Sequence, residues 1–217
     1  MVGKFEVSEG EHKMKRMFLV SSFKDVANIF EEFTENVEGK TVTFIPTASV
    51  VEKINFFVKS GKKALEKMKL IVDELDVSTA ASEDIANKLM KNDYIYITGG
   101  NTFFLLQELK RSGADKIIIE QANAGKMYIG ESAGAMIVSP NIEYASAMDS
   151  LKKAPNLKDF DSLNLTDFYT VPHHTNAPFK KAVERIKDQY NSSLDLYPIS
   201  NKEAVLINGD KIEVRSN

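Results

Sequence analysis

The residues best suited to chemistry form the stretch GESAG, residues 130–134, which follows the short apolar run at 127–129. The pattern G-x-S-x-G between a strand and a helix is typical of a nucleophile elbow, which holds a serine hydroxyl at the carboxyl end of a strand. We therefore predict Ser132 as a nucleophile, with the backbone N–H of Ala133 directed at an oxyanion formed beside it. The simpler alternative is a strand-to-helix turn that happens to contain a serine.

A second glycine turn, TGGNT at 98–102, also follows an apolar strand and precedes a helical pattern. Glycine lets a backbone amide face a ligand with no side chain in the way. We predict the N–H of Gly100 as a second oxyanion donor, and Gly99 and Asn101 as substrate contacts. The alternative is a turn with a helix cap at Asn101 or Thr102. The spacing matches neither dinucleotide-binding nor P-loop phosphate motifs.

Two of the three histidines are adjacent, in PHHTN at 172–176. A serine needs a base to become nucleophilic at neutral pH, and the pKa of histidine suits that role. His12 lies in a polar stretch near the start of the chain, so we expect the base to be His173 or His174. A metal site or a solvated loop is the alternative, although a metal would need further ligands at suitable spacing.

A carboxylate that orients the histidine would complete a catalytic triad. Physical reasoning on the residues alone does not choose it, because most acids in any chain are solvated surface groups. The candidates are Asp149, Asp161, Asp167 and Glu203.

The overall composition of the chain excludes several classes of function. The chain has 217 residues, a formal net charge of −3 and no cysteine. Disulfides, thiolate metal sites and a cysteine nucleophile are therefore excluded. Charges of both signs are mixed with no basic stripe, which argues against nucleic-acid binding. With no signal sequence or membrane-spanning apolar run recognised, we expect a cytoplasmic protein that does not contact membranes.

Short apolar runs rich in β-formers alternate with helical patterns along most of the chain, which predicts βαβ units. Strands that are apolar on both faces suit a mostly parallel sheet buried between helices. We predict one domain, a doubly wound α/β fold over residues 1–217, with residues 1–15 a mobile extension. Predicted helices include 50–67, 83–91 and 179–190. A C-terminal hairpin over 203–214 is predicted to turn at Asn208-Gly209 in type I′ geometry.

Taken together, GGNTF, GESAGAM, PHHTN and NKEA resemble the serine peptidases of the dipeptidase E (aspartyl dipeptidase) and cyanophycinase family. The resemblance runs from near Met17 to the final hairpin. It implies a three-layer, flavodoxin-like sheet fold related to class I glutamine amidotransferases, distinct from the common α/β-hydrolase fold.

The resemblance also implies roles for individual residues. Ser132 matches the nucleophile, His173 the base and Glu203 the orienting acid, with Asp149 as the second choice. Gly100 and Ala133 match the oxyanion amides, and His174 is a neighbour of the base placed near substrate. The family requires no cofactor and no metal.

One departure concerns substrate preference. Aspartyl dipeptidases carry an arginine-bearing insert after the histidine loop, whereas here the chain passes almost directly into a helix. Lys180 or Arg185 could replace that arginine, although both are most simply solvated. We therefore predict a serine exopeptidase or dipeptidase acting on short peptides, as a monomer or a homodimer, without assigning an Asp-X preference. The rival functions are an esterase or amidase on the same elbow, and a catalytically silent binder.

Overall fold

A computed structural model describes residues 14–217, so the predicted extension at 1–15 lies almost wholly outside the described residues, as does His12. Seven strands form one sheet in the order β3-β2-β4-β5-β1-β8-β9, and β6 and β7 form a small parallel pair. The strands are β1 Arg16–Val20, β2 Thr41–Ile45, β3 Ile71–Glu74, β4 Tyr94–Ile97, β5 Met127–Glu131, β6 Tyr169–Val171, β7 Leu196–Pro198, β8 Glu203–Asn208 and β9 Lys211–Ser216.

The sheet is mixed, and its five strands from β3 to β1 are parallel. β8 runs antiparallel to β1, and β9 antiparallel to β8. Every residue of β5 is buried, as are four of the five residues of β1 and β2. Burial on both faces explains why these strands read as continuous apolar runs. The predicted three-layer α/β fold is confirmed.

Within the described residues, seven α-helices complete the layers: α1 Ala27–Thr34, α2 Phe56–Lys67, α3 Ser82–Lys91, α4 Thr102–Ser112, α5 Ala114–Asn123, α6 Ala133–Met136 and α7 Lys180–Tyr190. Side chains of a strand alternate between the two faces of the sheet. Accordingly Phe18 of β1 packs with α1 and α2, while Leu19 packs with the core that α3, α4, α5 and α7 cover. No helix in the described part of the chain is both long and apolar enough to cross a bilayer.

The helix predicted at 50–67 begins six residues later, at Phe56. Its inward face starts with the half-buried Phe57 and continues through the buried Gly61 and Leu65, and no residue from 50 to 56 is buried. The preceding segment instead holds a buried 3-10 turn, Thr47–Ser49, whose Ala48 carbonyl accepts the Asn101 N–H at 2.8 Å.

The hairpin is confirmed, but its predicted turn is wrong by one residue. Asn208 pairs with Lys211, so Gly209 and Asp210 are the two turn residues. Gly209 has a φ of 61° and Asp210 has no positive φ, a pattern that fits a type II′ turn and not type I′. The strand β7 was not predicted, because a three-residue strand containing Pro198 gives little periodic signal.

Candidate active site

The serine lies on a sharp turn between β5 and α6. Ser132 has φ 51° and ψ −108°, an uncommon backbone conformation for a residue with a side chain. A Cβ on Gly130 would lie 2.4 Å from the Gly134 carbonyl oxygen, and one on Gly134 would lie 2.2 Å from the Ile97 carbonyl oxygen. The two glycines are therefore required for the turn to pack against itself and against β4. The hydroxyl consequently stands at the carboxyl edge of the sheet.

The TGGNT turn lies beside this serine. Gly100 has a φ of 140°, and a Cβ there would lie 2.2 Å from the Ala48 carbonyl carbon. A Cβ on Gly99 would lie 3.0 Å from the Cβ of Ser132. Gly99 therefore permits a close approach of backbone to the nucleophile, and Gly100 permits close packing against the Ala48 backbone. Each also lines the cavity above Ser132.

Asn101 lines the same cavity but uses its side chain to hold the turn. Its Oδ1 accepts the Phe104 N–H at 2.9 Å as the cap of α4, and its Nδ2 donates to the Ser150 carbonyl at 3.2 Å. Because both polar atoms are occupied and the residue is 1% exposed, its side chain is better placed to shape the loop than to bind substrate.

Ser132 and His173 are joined by a short hydrogen bond. Ser132 Oγ lies 2.8 Å from His173 Nε2, and His173 Nδ1 lies 2.9 Å from Asn201 Oδ1. An amide oxygen only accepts, so Nδ1 carries the proton and Nε2 is free to accept one from the serine. The geometry is that of a Ser-His-Asn constellation.

Burial and packing hold His173 in place. Its backbone φ is 64°, and its N–H donates to Ser21 Oγ at 2.8 Å, while that hydroxyl donates to the Ile199 carbonyl at 3.0 Å. The Phe179 ring stacks on the imidazole at 4.7 Å between centroids. Burial lowers the pKa of His173 below its usual 6.5, and the hydrogen bond that His173 donates to Asn201 partly opposes that shift. The imidazole is therefore neutral, as a base must be, at neutral pH.

The structure places Glu203 away from the histidine. Its Oε2 accepts the Ser200 N–H at 2.7 Å, and it makes no hydrogen bond to His173 within residues 14–217. Glu203 opens β8, and its side chain folds back over the turn that delivers Asn201 to the imidazole. The acid predicted for the third position is thus replaced by an amide two residues earlier in the same NKEA motif.

Asp149, the second-choice acid, does not contact the histidine either. Its Oδ2 accepts from both the backbone N–H and the hydroxyl of Thr102, at 2.8 and 2.6 Å, which anchors the start of α4 behind the Gly100 turn. Burial raises the pKa of Asp149 to about 6, although those two hydrogen bonds favour the carboxylate. Its Oδ1 makes no hydrogen bond within the described residues, and the residue lines the cavity.

His174 is not on the cavity wall. Its Nε2 lies 3.4 Å from Lys187 Nζ and 3.7 Å from a Glu184 oxygen, so the ring faces α7. Lys180 and Arg185 of that helix are exposed and lie outside the cavity lining. The predicted substrate contact at His174 is therefore not supported by its position, because the backbone turn at His173 sends the two rings to different sides.

Glu131 is a site residue that the sequence analysis passed over. Its side chain is buried, with Oε1 accepting the Phe23 N–H at 2.9 Å and Oε2 accepting the Tyr96 hydroxyl at 2.8 Å. Burial raises the pKa of Glu131 to about 7, against the two hydrogen bonds, which lower it. The sequence feature that could have indicated this residue is its charge at the end of the otherwise apolar strand β5.

Two backbone amides next to Ser132 have no acceptor in the described chain. One is the N–H of Ala133, the first residue of α6. The other is the N–H of Gly100, which lines the cavity next to Gly99. Neither N–H donates to a backbone or side-chain atom of residues 14–217. Free backbone donors near a serine can bind an oxygen that becomes negatively charged.

The cavity above Ser132 has a volume of about 490 Å³. Its acidic lining residues are Asp25, Glu52, Glu131 and Asp149, and its basic ones are Lys24 and Lys153. Lys153 Nζ is already paired with Glu52 at 2.6 Å. A cavity of this size takes a small ligand, and the balance of charge favours a cationic group over an anionic one.

The chain is similar to known peptidases along nearly its whole length. A family model described as peptidase family S51 matches residues 11–215. An uncharacterized peptidase of Listeria monocytogenes is 59% identical over 92% of this chain and 97% of its own. A second uncharacterized peptidase, from Pasteurella multocida, is 52% identical over 94% of this chain and 99% of its own. Peptidase E of Pasteurella multocida is 30% identical over 74% of this chain and 68% of its own.

Solved structures agree with that relationship. A crystal structure from Listeria monocytogenes EGD-e, 58% identical, superposes with a TM-score of 0.91 over 94% of this chain and 99% of that one. A peptidase from an acI-B1 Actinobacterium has a TM-score of 0.71 over 95% and 89% of the two chains, and at 20% identity it shows the fold alone. Fold and relatives define a serine peptidase. The chain belongs to peptidase family S51.

Proposed function

We propose that the protein is an exopeptidase that hydrolyses short peptides through an acyl-enzyme on Ser132. The observation that carries this proposal is the 2.8 Å contact between Ser132 Oγ and His173 Nε2, with the opposite ring nitrogen held by Asn201. A positioned base of this kind is what a serine needs to attack a carbonyl.

In the proposed mechanism His173 takes the hydroxyl proton as Ser132 attacks the scissile carbonyl carbon. The amides of Gly100 and Ala133 donate to the oxyanion of the tetrahedral intermediate. His173 then gives its proton to the leaving nitrogen, and the C–N bond breaks. Water, deprotonated by the same imidazole, hydrolyses the ester and restores the serine.

Asn201 occupies the position that a carboxylate has in a Ser-His-Asp triad, and this changes the proposed mechanism. Asn201 fixes the tautomer of His173 but brings no negative charge to stabilise the imidazolium. Cysteine peptidases of the papain type use Cys-His-Asn, so an amide in this position is compatible with acyl transfer. The depressed pKa of His173 is the consequence for this site, because burial opposes the charged ring and no carboxylate offsets it.

The free oxygen of Asp149 supports action at a peptide end. Asp149 lines the cavity, and its Oδ1 has no protein partner among residues 14–217, while its Oδ2 is fixed by Thr102. The α-ammonium group of a short peptide is a suitable partner for such a carboxylate. Acidic residues around the cavity add to the attraction.

The test is hydrolysis of a dipeptide panel by wild type, Ser132→Ala and Ser193→Ala. Ser193 is exposed on the loop after α7 and serves as the matched control. We expect Ser132→Ala to lose at least roughly 10³-fold in kcat and Ser193→Ala to match wild type. A fluorophosphonate probe should label wild type and the control, and not Ser132→Ala.

Other outcomes point elsewhere. Full activity in Ser132→Ala would refute the nucleophile. Turnover of esters or simple amides without any peptide would identify an esterase or amidase. The absence of both turnover and labelling would indicate a catalytically silent binder. A cytoplasmic location and the choice between monomer and homodimer stay predictions.

A further inference from the structure

An apolar wall borders the candidate active site at the start of α2. Ile54, Phe56 and Phe57 line the cavity, and Ile54 and Phe56 are 65% and 66% exposed. The two phenylalanine rings meet edge to face at 6.2 Å between centroids. A cluster of large exposed apolar side chains at the mouth of a cavity is typical of a ligand-binding groove.

The wall is anchored close to the nucleophile. A Cβ on Gly99 would contact both the Phe57 ring, at 3.6 Å, and Ser132 Cβ, at 3.0 Å, so Phe57 and Ser132 border the same corner. The helix behind Phe57 is pressed onto the sheet at Gly61, where a Cβ would lie 2.6 Å from the Tyr96 hydroxyl. The apolar wall is therefore fixed relative to Ser132 by backbone packing.

The cations of this cavity are poorly placed to bind an acidic side chain. Of its basic lining residues in the described chain, Lys153 is engaged by Glu52 and Lys24 is exposed. A substrate carboxylate would have to compete with Glu52 for Lys153 or pair with the solvent-exposed Lys24, where water weakens the attraction. Burying a charge without a partner is strongly unfavourable, whereas an apolar side chain gains by covering Ile54 and Phe56.

The position of His173 decides which substrate residue meets the wall. His173 Nε2, 2.8 Å from Ser132 Oγ, must reach the leaving nitrogen, so the leaving residue lies on the histidine side of Ser132, where Phe179 packs on the imidazole. The wall borders Gly99, next to the turn that offers the Gly100 amide. The acyl residue, whose carbonyl oxygen enters between the two amides, is therefore the one placed against Phe57.

We propose that Ile54, Phe56 and Phe57 form a specificity subsite for a bulky apolar side chain, such as that of Leu, Met or Phe, on the acyl residue of the peptide. This inference rests on the proposed function, since it assigns the substrate class of the same site. It predicts a peptidase that prefers apolar-X over Asp-X dipeptides.

Wild-type kcat/KM should be measured for Leu-Ala, Phe-Ala, Ala-Ala and Asp-Ala. We expect Leu-Ala and Phe-Ala to exceed Ala-Ala by roughly 10-fold or more, the range that a few buried methylenes give. Asp-Ala should be slower than Ala-Ala. A preference for Asp-Ala, or equal rates across the panel, would overturn the subsite.

Phe57→Ala tests the wall itself, with Met90→Ala on the exposed face of α3 as control. We expect Phe57→Ala to lower kcat/KM for Leu-Ala roughly 10-fold more than for Ala-Ala, and Met90→Ala to keep the wild-type ratio. Equal losses on both substrates in Phe57→Ala would contradict the proposal.

Binding to Ser132→Ala separates this inference from the proposed function. Calorimetric titration with Leu-Ala and Asp-Ala needs no turnover, and we expect tighter binding of Leu-Ala, with the difference abolished in Ser132→Ala/Phe57→Ala. If wild type cleaves nothing but this preference is present, the peptidase proposal fails and the subsite stands. If wild type cleaves peptides and Leu-Ala binds no better than Asp-Ala, the subsite fails alone.

Discussion

At the scale of single residues, the distinctive feature is the neutral amide that faces the proposed base. Asn201 Oδ1 accepts from His173 Nδ1, and Asn201 is itself held by its N–H, which donates to Asn176 Oδ1 at 2.9 Å. The amide can fix the tautomer of the imidazole, but it leaves the imidazolium without a counter-charge. Burial then sets the pKa of His173.

The first prediction concerns Asn201. Asn201→Ala should lower kcat roughly 10²-fold, because the imidazole loses its orienting partner. Asn201→Asp should stay active and move the acid limb of the pH profile upward, since a carboxylate raises the pKa of a neighbouring imidazole. The wild-type limb should lie below pH 6.5. The measurement is kcat/KM as a function of pH for wild type, Asn201→Ala and Asn201→Asp. Superimposable profiles would show that Asn201 does not influence His173.

The second prediction concerns Glu131. Its pKa is raised from 4.5 to about 7, so the folded state binds more protons than the unfolded state between those values. Stability is therefore greater below pH 4.5 and is lost as pH rises through 7. A shift of this size corresponds to roughly 3 kcal/mol of unfolding free energy at full effect.

Glu131→Gln should remove that pH dependence, because the amide keeps the volume and cannot ionise. Its oxygen can accept from Phe23 and its NH₂ can donate to the Tyr96 oxygen. Urea unfolding at pH 5 and pH 8 measures the difference between variant and wild type, with exposed Glu66→Gln as control. Parallel pH dependence in Glu131→Gln and wild type would show that this carboxyl does not carry the effect.

At the scale of secondary-structure elements, the site depends on three turns at the carboxyl edge of the sheet. β5 delivers Ser132, β4 delivers Gly100, and the loop after β6 delivers His173. Parallel strands end at the same edge, which is why segments far apart in sequence meet there. The turn before β8 brings Asn201 to the same point from an antiparallel strand.

The third prediction concerns the elbow. Gly134→Ala should destabilise the protein by at least about 3 kcal/mol, because the new Cβ would lie 2.2 Å from a β4 carbonyl oxygen that cannot move freely. Gly113→Ala is the matched control, with φ 76° and no atom within 4 Å of the new Cβ. That variant should lose only about 1 kcal/mol from backbone strain. Chemical denaturation measures both, and equal losses would show that packing at the elbow is not the limiting factor.

The order of elements was largely predictable from sequence, whereas several boundaries were not. Apolar runs at 17–20 and 127–129 are long enough to indicate buried strands. The start of α2 and the short strand β7 depend on contacts with distant parts of the chain. The 3-10 turn Thr47–Ser49, for example, is held by the Ala48 carbonyl, which accepts the N–H of the distant Asn101.

At the scale of the whole molecule, one sheet separates two apolar cores. Phe30 belongs to the core under α1 and α2, and Leu106 to the core on the opposite face. β1, β2, β4, β5 and β8 contribute side chains to both. Because the strands are shared, neither core can be lost without exposing the other.

The fourth prediction follows from that shared sheet. Phe30→Ala and Leu106→Ala should each lower stability by about 3 kcal/mol, and each should shift the same single transition. Their effects should add in the double variant, since the residues lie in different cores. Far-UV and near-UV circular dichroism should report coincident curves, and two separated transitions would contradict the prediction of one domain.

The sequence by itself determined the α/β class, the serine and the histidine, because these depend on local patterns: apolar runs, glycine turns and residue types with suitable pKa values. The tertiary structure decided that Asn201, and not Glu203 or Asp149, faces His173, and that Ser21 and Glu131 brace the site. Those choices depend on which side chains, from several separate loops and strands, point toward the imidazole and the serine. Distant backbone packing sets that direction, and no short stretch of sequence contains it.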